Sequence, residues 1–162
     1  MLKTFTITIT GSRKYQKMEQ VDQLINSIHN HIKRHNLDIN CIKFITGFAD
    51  GPDKRACEKI IEYGWPEPKK YLPNYALNGR KLAPILRNDD IARDCDLNIS
   101  FYDRASSGTK DVMLKCLKYG KPQFIIDSMH PYTKIYIDQL VELIFVSFII
   151  PYYGYENINN VR

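Results

Sequence analysis

The residues of this 162-residue chain that could do chemistry are small and hydroxylic ones set beside a few arginines and aspartates. Ser106-Ser107-Gly108-Thr109-Lys110-Asp111 follows the short apolar run Leu97 to Tyr102 and leads into Val112 to Leu117, which has helical periodicity. A turn of this kind directs backbone N–H groups and the positive end of a helix dipole at a bound anion, with the hydroxyls of Ser106, Ser107 and Thr109 as further donors. The same residues also make a good helix N-cap, so this stretch alone leaves capping and ligand binding both open. Two earlier stretches have related chemistry, Gly11-Ser12-Arg13 and Gly47-Phe48-Ala49-Asp50-Gly51-Pro52-Asp53. Glycine there permits positive φ or the close approach of a ligand, and Arg13 can meet a phosphate or carboxylate with a bidentate fork. Each loop by itself reads as a tight turn; three together point to a shared site. Arg80 and Arg87-Asn88 form a fourth piece. Their arginines are seven residues apart, close to two helical turns, and share a face if a helix already covers Arg80.

These loops need elements to position them, and hydrophobic periodicity supplies five repeats of strand and helix. Thr4 to Thr10 alternates threonine with Phe5, Ile7 and Ile9 as a strand, and apolar positions from Met18 to His35 recur every three or four residues as a helix. Ile42 to Thr46 reads as a second strand, and a helix starts near Pro52 and stops at Gly64. A short strand is expected at Lys69 to Leu72, an irregular stretch at Pro73 to Arg80, and a helix at Lys81 to Cys95 with Pro84 in its first turn. Leu97 to Tyr102 is the fourth strand, the next helix ends at Tyr119-Gly120, and Pro122 to Asp127 is the fifth strand. The pattern predicts an α/β fold, a Rossmann-like three-layer α/β/α sandwich with a mainly parallel sheet and right-handed crossovers. In such a sheet ligands bind beyond the carboxyl ends of the strands, where all three glycine-bearing loops fall.

Residues 1–130 are therefore expected to form one domain, and 131–162 a hydrophobic extension. Ile135 to Ile150 is apolar but interrupted by Asp138, Gln139 and Glu142, which favours a helix packed on the domain or at an oligomer interface over a membrane span. Pro151 is expected to end it, and Tyr152 to Arg162 to add a strand or fray.

Twenty-three basic against 18 acidic residues give a net charge of +5, which suits an anionic ligand without demanding nucleic acid. Cys41, Cys57, Cys95 and Cys116 lie far apart in apolar segments and read as free buried thiols of a reducing compartment. Met1 to Phe5 shows no signal-peptide pattern, so a cytoplasmic protein is expected. His29, His31 and His35 lack the glutamate of an H-E-x-x-H site and any nearby cysteine; they read as surface histidines, and neither a metal nor a cofactor is expected. The eleven tyrosines are scattered and read mostly as packing, although such rings also suit single-stranded nucleic acid.

Four motifs in this order, Thr10-Gly11-Ser12-Arg13, Phe44 to Asp53, Ala83 to Asn88, and Ser107-Gly108-Thr109-Lys110-Asp111 followed by Gly120-Lys121-Pro122, resemble the YspA-like branch of the SLOG superfamily. That superfamily groups Rossmann-like domains of the DprA and LOG type, and the resemblance spans about residues 4 to 127. It implies a pocket for a nucleotide or nucleotide-derived signal such as an ADP-ribose-like molecule, in a sensor or sequestering protein. Gly11, Ser12 and Arg13 would hold one end, and Gly47, Phe48, Ala49, Gly51 and Asp53 would form the second wall. Arg80, Arg87 and Asn88 would meet phosphate or ribose, and Ser106, Ser107, Gly108 and Thr109 would cradle a phosphate with Asp111 near the ribose. The alternative is a nucleotide N-glycosidase, a LOG-like phosphoribohydrolase or deoxyribosyltransferase-like enzyme, with Asp111 and Arg87 as catalytic residues. Hydrolytic relatives carry P-G-G-x-G-T-x-x-E, whereas here Arg104, Ala105 and Ser106 replace the proline and glycines and Val112 the glutamate. Retained binding motifs beside an eroded catalytic one favour binding over turnover. The expected partners are the nucleotide-like ligand and further copies of the chain, with nucleic acid a weaker candidate and no membrane.

Overall fold

In chain order the elements are β1 (Phe5–Gly11), α1 (Met18–Arg34), a 3-10 turn (Ile39–Cys41), β2 (Ile42–Thr46), α2 (Pro52–Glu62), β3 (Lys69–Lys70) and α3 (Tyr75–Asp94). They continue with β4 (Leu97–Tyr102), α4 (Ser107–Lys118), β5 (Gln123–Asp127), α5 (Lys134–Ile144), a π-helical turn (Phe145–Ile149) and α6 (Ile150–Tyr153). This is a computed structural model, and it describes residues 4–130 and 134–154. The five strands are hydrogen-bonded in the order β3-β2-β1-β4-β5, and every pairing is parallel. Helices cover both faces, which makes an α/β Rossmann-like fold. β1 is the central strand. The chain runs outward from it to β2 and β3, returns, and continues outward through β4 and β5, so the order reverses between β1 and β4. A crevice opens at that reversal beyond the carboxyl ends of the strands.

The threonine alternation of β1 decides which face is which. Phe5, Ile7 and Ile9 enter the larger core with Leu24, Ile25 and Ile28 of α1, Ile60 of α2, and Leu97, Ile99 and Phe101 of β4. Burying each of these side chains contributes about 1.5–3 kcal/mol. The opposite face carries a smaller cluster of Ile45, Ile91, Ala92, Cys95, Val112 and Cys116, between the sheet and α3 and α4. Beside it the sheet is polar. Thr10 Oγ1 and Ser100 Oγ are 2.9 Å apart, and Asn98 Nδ2 donates to Ser100 Oγ at 2.9 Å and to Gln123 Oε1 at 3.1 Å. All four cysteines are free and buried.

Several boundaries differ from the sequence reading. Pro73 to Arg80 is not wholly irregular: Asn74 Oδ1 accepts from Leu77 N at 3.1 Å and caps a helical turn that breaks at Gly79, after which the helix resumes. Pro84 consequently lies inside the helix, where its ring removes one amide from the ladder. β3 is two residues long, extended by a bond from Tyr71 N to Thr46 O. Pro151 does not end the last helix. Ile150 N donates to Phe145 O, five residues back, and this wider turn leaves Pro151 in the first turn of α6, where a missing N–H costs little.

His31 is not a surface residue. It is fully buried between α1 and α5, with Nδ1 2.8 Å from Ser27 O and Nε2 2.7 Å from Glu142 Oε2. Ile137, Val141, Ile144, Phe145 and Ile149 join the larger core, and Tyr152 Oη donates to Thr4 O at 2.7 Å. Tyr153 Oη bonds Cys41 O and accepts from Phe5 N. By length and composition Lys134–Tyr153 could cross a bilayer, with a mean hydropathy of 1.6, and 33% of that window is buried against the rest of the chain. Residues 1–3, 131–133 and 155–162 lie outside the described residues, and with them the expected start of the extension, the chain start read for a leader, and most of the stretch expected to add a strand or fray.

Candidate functional site

A cleft of about 510 Å³ occupies the reversal between β1 and β4. Its first wall is the end of β1. Gly11 packs directly on the start of α2: a Cβ there would lie 2.4 Å from Pro52 Cγ. Gly11 N donates to Asp53 Oδ1 at 3.0 Å, and Ala49 N donates to Asp53 Oδ2 at 3.4 Å. Asp53 therefore clamps the β1 and β2 loops together from the first turn of α2. Burial pushes its carboxyl up to about 7, with the two amides and the Arg87 guanidinium opposing that rise. Arg13 and Lys14 follow on the exposed lip.

The second wall is α3. Arg87 Nη1 donates to Gly47 O at 2.8 Å and to Tyr71 O at 3.2 Å, and Nε donates to Asn88 Oδ1 at 2.9 Å. Among the described residues Nη2 has no bond. Burial pushes the pKa of this guanidinium down, which leaves a half-desolvated cation that an anion would satisfy. Asn88 and, a helical turn on, Ile91 line the same wall with Pro84.

The third wall is the turn into α4. Asp103 Oδ1 accepts from Ala105 N and Ser106 N, both at 2.9 Å, and the left-handed Arg104 (φ 67°) swings out to Asp127 at 2.7 Å. Ser106 Oγ accepts from Thr109 N at 3.3 Å as the N-cap, and Lys110 N reaches Ser106 O. Capping and ligand access are thus compatible: the cap uses the Thr109 amide and leaves those of Ser107 and Gly108 without partners among the described residues. Ser107 and Thr109 line the cleft beside them.

Of the residues singled out from sequence, Gly11, Arg13, Gly47, Ala49, Asp53, Arg87, Asn88 and Ser106 through Thr109 line this cleft. Others stand behind it. Ser12 is buried, its Oγ accepting from Asp103 N at 3.2 Å and its N donating to Phe101 O, so it ties β1 to the β4 loop. Gly51 has a φ of 95°, which favours glycine, and a Cβ there would lie 3.1 Å from Ser12 O, tighter than ordinary contact. Phe48, in the left-handed region at φ 54°, has Lys70 Nζ 4.0 Å and Lys54 Nζ 5.1 Å from its ring centre. Arg80 is exposed just past the Gly79 break and does not line the cleft. Asp111 does not line the cleft, its carboxylate accepting from Asn88 Nδ2 at 3.0 Å and Lys115 Nζ at 2.7 Å. Thr10, Lys14, Pro84, Ile91, Asp103 and Ala105 line the cleft as well, although the sequence reading assigned none of them a ligand role. Asp103 had a readable signal, an aspartate two and three residues ahead of the amides it caps.

The charges are unevenly spent. Both carboxylates of the lining, Asp53 and Asp103, accept backbone amides, whereas among the described residues Arg13, Lys14 and the far end of Arg87 have no bonded counter-ion. Among the described residues no group of three His, Cys, Asp or Glu side chains is placed to hold a metal ion.

No family model and no curated protein matches the chain. Among solved structures it is similar to the X-ray structure of DNA processing protein A (DprA) from Streptococcus pneumoniae, with a TM-score of 0.61 at 17% identity. The match covers 76% of this chain and 50% of that one, so the chain spans about half the length of DprA. At this identity the likeness is one of fold, and it is the Rossmann-like arrangement described above.

Proposed function

We propose that the cleft binds a nucleotide or nucleotide-derived molecule of the ADP-ribose type, in a SLOG-type domain that serves as sensor or sequestering protein. The observation that carries this reading is the meeting of Arg13, Lys14 and the unbonded Nη2 of Arg87 with the Ser107 and Gly108 amides at the start of α4, none of which has a bonded partner among the described residues, in a cleft whose carboxylates are already engaged. Such donors favour an anion with several acceptor oxygens, and a volume of about 510 Å³ suits a nucleotide-sized ligand. Isothermal titration with nucleoside mono- and diphosphates, ADP-ribose, cyclic ADP-ribose and a short oligonucleotide tests it. Micromolar binding of a phosphate-bearing nucleotide is expected, and silence across the panel from folded protein overturns it. The oligonucleotide is included because the similar structure is a DNA processing protein; binding confined to it, with a steep salt dependence, would shift the reading to nucleic acid.

An N-glycosidase is the second reading, favoured by the Asp53 carboxyl, which lies in the cleft with its pKa raised to about 7, a value suited to proton transfer. Against it, the Asp111 carboxylate is bound to Asn88 and Lys115. Chromatography of nucleoside monophosphates incubated with wild type, Asp53→Asn and Asp111→Ala decides: free base released by wild type alone would establish turnover.

A further inference from the structure

We propose, on the reading of the cleft as an anion site, that Asp111 of α4 is a positioning residue that fixes the Arg87 guanidinium of α3 through the side chain of Asn88. The bonds run in one line. Asp111 Oδ2 accepts from Asn88 Nδ2 at 3.0 Å, and Asn88 Oδ1 accepts from Arg87 Nε at 2.9 Å. A carboxylate can only accept and a guanidinium can only donate, so the amide between them has one orientation that satisfies both neighbours. Asn88 is 6% exposed, and water has little access to substitute for either bond.

Lys115 anchors the other end. Its Nζ lies 2.7 Å from Asp111 Oδ2 and 2.7 Å from Ile85 O, so the carboxylate is held against α3 as well as α4. Arg87 Nη1 is meanwhile pinned by Gly47 O and Tyr71 O. With Nε and Nη1 both fixed, the planar group has no remaining rotation, and the two Nη2 hydrogens are the ones left for a ligand. Without the carboxylate, Asn88 Nδ2 has lost its acceptor in a buried place, and the amide swings toward another one, drawing its oxygen away from Arg87 Nε–H. Arg87 then loses its fixed plane. The helix whose first turn offers the Ser107 and Gly108 amides thus also orients the arginine opposite them. A ligand meets both sets of donors already ordered, which lowers the entropy lost on binding.

Hydrogen exchange at Arg87 Nε–H tests this without any ligand, in protein labelled with 15N-arginine. Slow exchange is expected in wild type, and Asp111→Ala is expected to speed it about tenfold or more, since the bond to Asn88 is no longer enforced. Asp90→Ala, which removes a half-exposed carboxylate bonded to Arg93 on the same helix, should leave it unchanged. Unchanged protection of Arg87 in folded Asp111→Ala overturns the relay. Should that variant fail to fold, Asp111→Leu fills the volume and accepts no hydrogen bond, so faster exchange is again expected and unchanged exchange again overturns.

A double-mutant cycle with ADP-ribose as the probe supplies the functional half. Asp111→Ala should weaken binding about tenfold in the wild-type background and less than about twofold beside Arg87→Met. Equal losses in both backgrounds would show that Asp111 acts by some route other than Arg87, and would overturn the proposal while leaving the cleft a binding site. Absence of binding by wild type defeats the anion reading, and the exchange measurement then decides the relay alone.

Discussion

The Gly11 amide donates to the Asp53 carboxylate at 3.0 Å, and this bond joins the end of the central strand to the start of α2. The same carboxylate takes the Ala49 amide, so a single side chain sets the spacing of two loops around the cleft.

Asp53→Ala leaves those two amides without their partner and is expected to destabilise the fold by about 3 kcal/mol. Urea denaturation of wild type and variant measures it, and a loss under about 1 kcal/mol would mean that water replaces the carboxylate.

A pH dependence follows from the same group. Its carboxyl is raised from an ordinary 3.8 to about 7 in the folded state, so the folded protein retains this proton where the unfolded chain has released it. Its contribution to stability is therefore fully present below pH about 4, falls as pH rises toward 7, and is level above that. The stability of wild type relative to Asp53→Asn should decline by more than about 1 kcal/mol between pH 5 and pH 7. Denaturation curves of the pair across that range give the slope, and a flat difference would contradict a raised carboxyl.

Gly108→Ala separates stability from binding. A Cβ at Gly108 meets nothing within 4 Å, so alanine fits the helix and should stabilise it by about 0.5–1 kcal/mol. The same methyl group sits beside the free amide offered to a ligand. Affinity for the best nucleotide in titration should drop while the melting temperature rises, and a variant that binds as well as wild type would remove the α4 amides from the site.

The exposed apolar residues Met129, Ile135, Leu143 and Val146 near the carboxyl-terminal helix predict a homo-oligomer. Light scattering at micromolar concentration should give a mass above 18.9 kDa, and Leu143→Glu should lower it. A monomeric wild type would dispose of this expectation.

The sheet was legible because glycine and proline mark its strand ends and because threonine alternates with isoleucine along β1. β2 and β4 fall on the residues that pattern selects. What stayed hidden were bonds between positions far apart in sequence. His31 looks like one of three polar residues on a helix until Glu142 of α5 packs against it. Ser12, Gly51 and Asp111 belong to motif stretches, yet each supports the cleft from behind, and no pattern along one chain separates a lining residue from its support. Pro151 reads as a stop because a ladder with a four-residue span has no place for it; the π turn before it shifts that span.

The hydroxyls of Tyr152 and Tyr153 bond to Thr4 and Phe5 across 148 residues of chain. The opening residues of β1 are therefore satisfied only once α6, nearly 150 residues further on, is in place, and the other flank of that strand waits for β4. Folding of this unit accordingly needs many long-range closures and is slow by the standards of helical domains. A chain cut short before residue 150 should be far easier for a protease to cleave than one that includes α6.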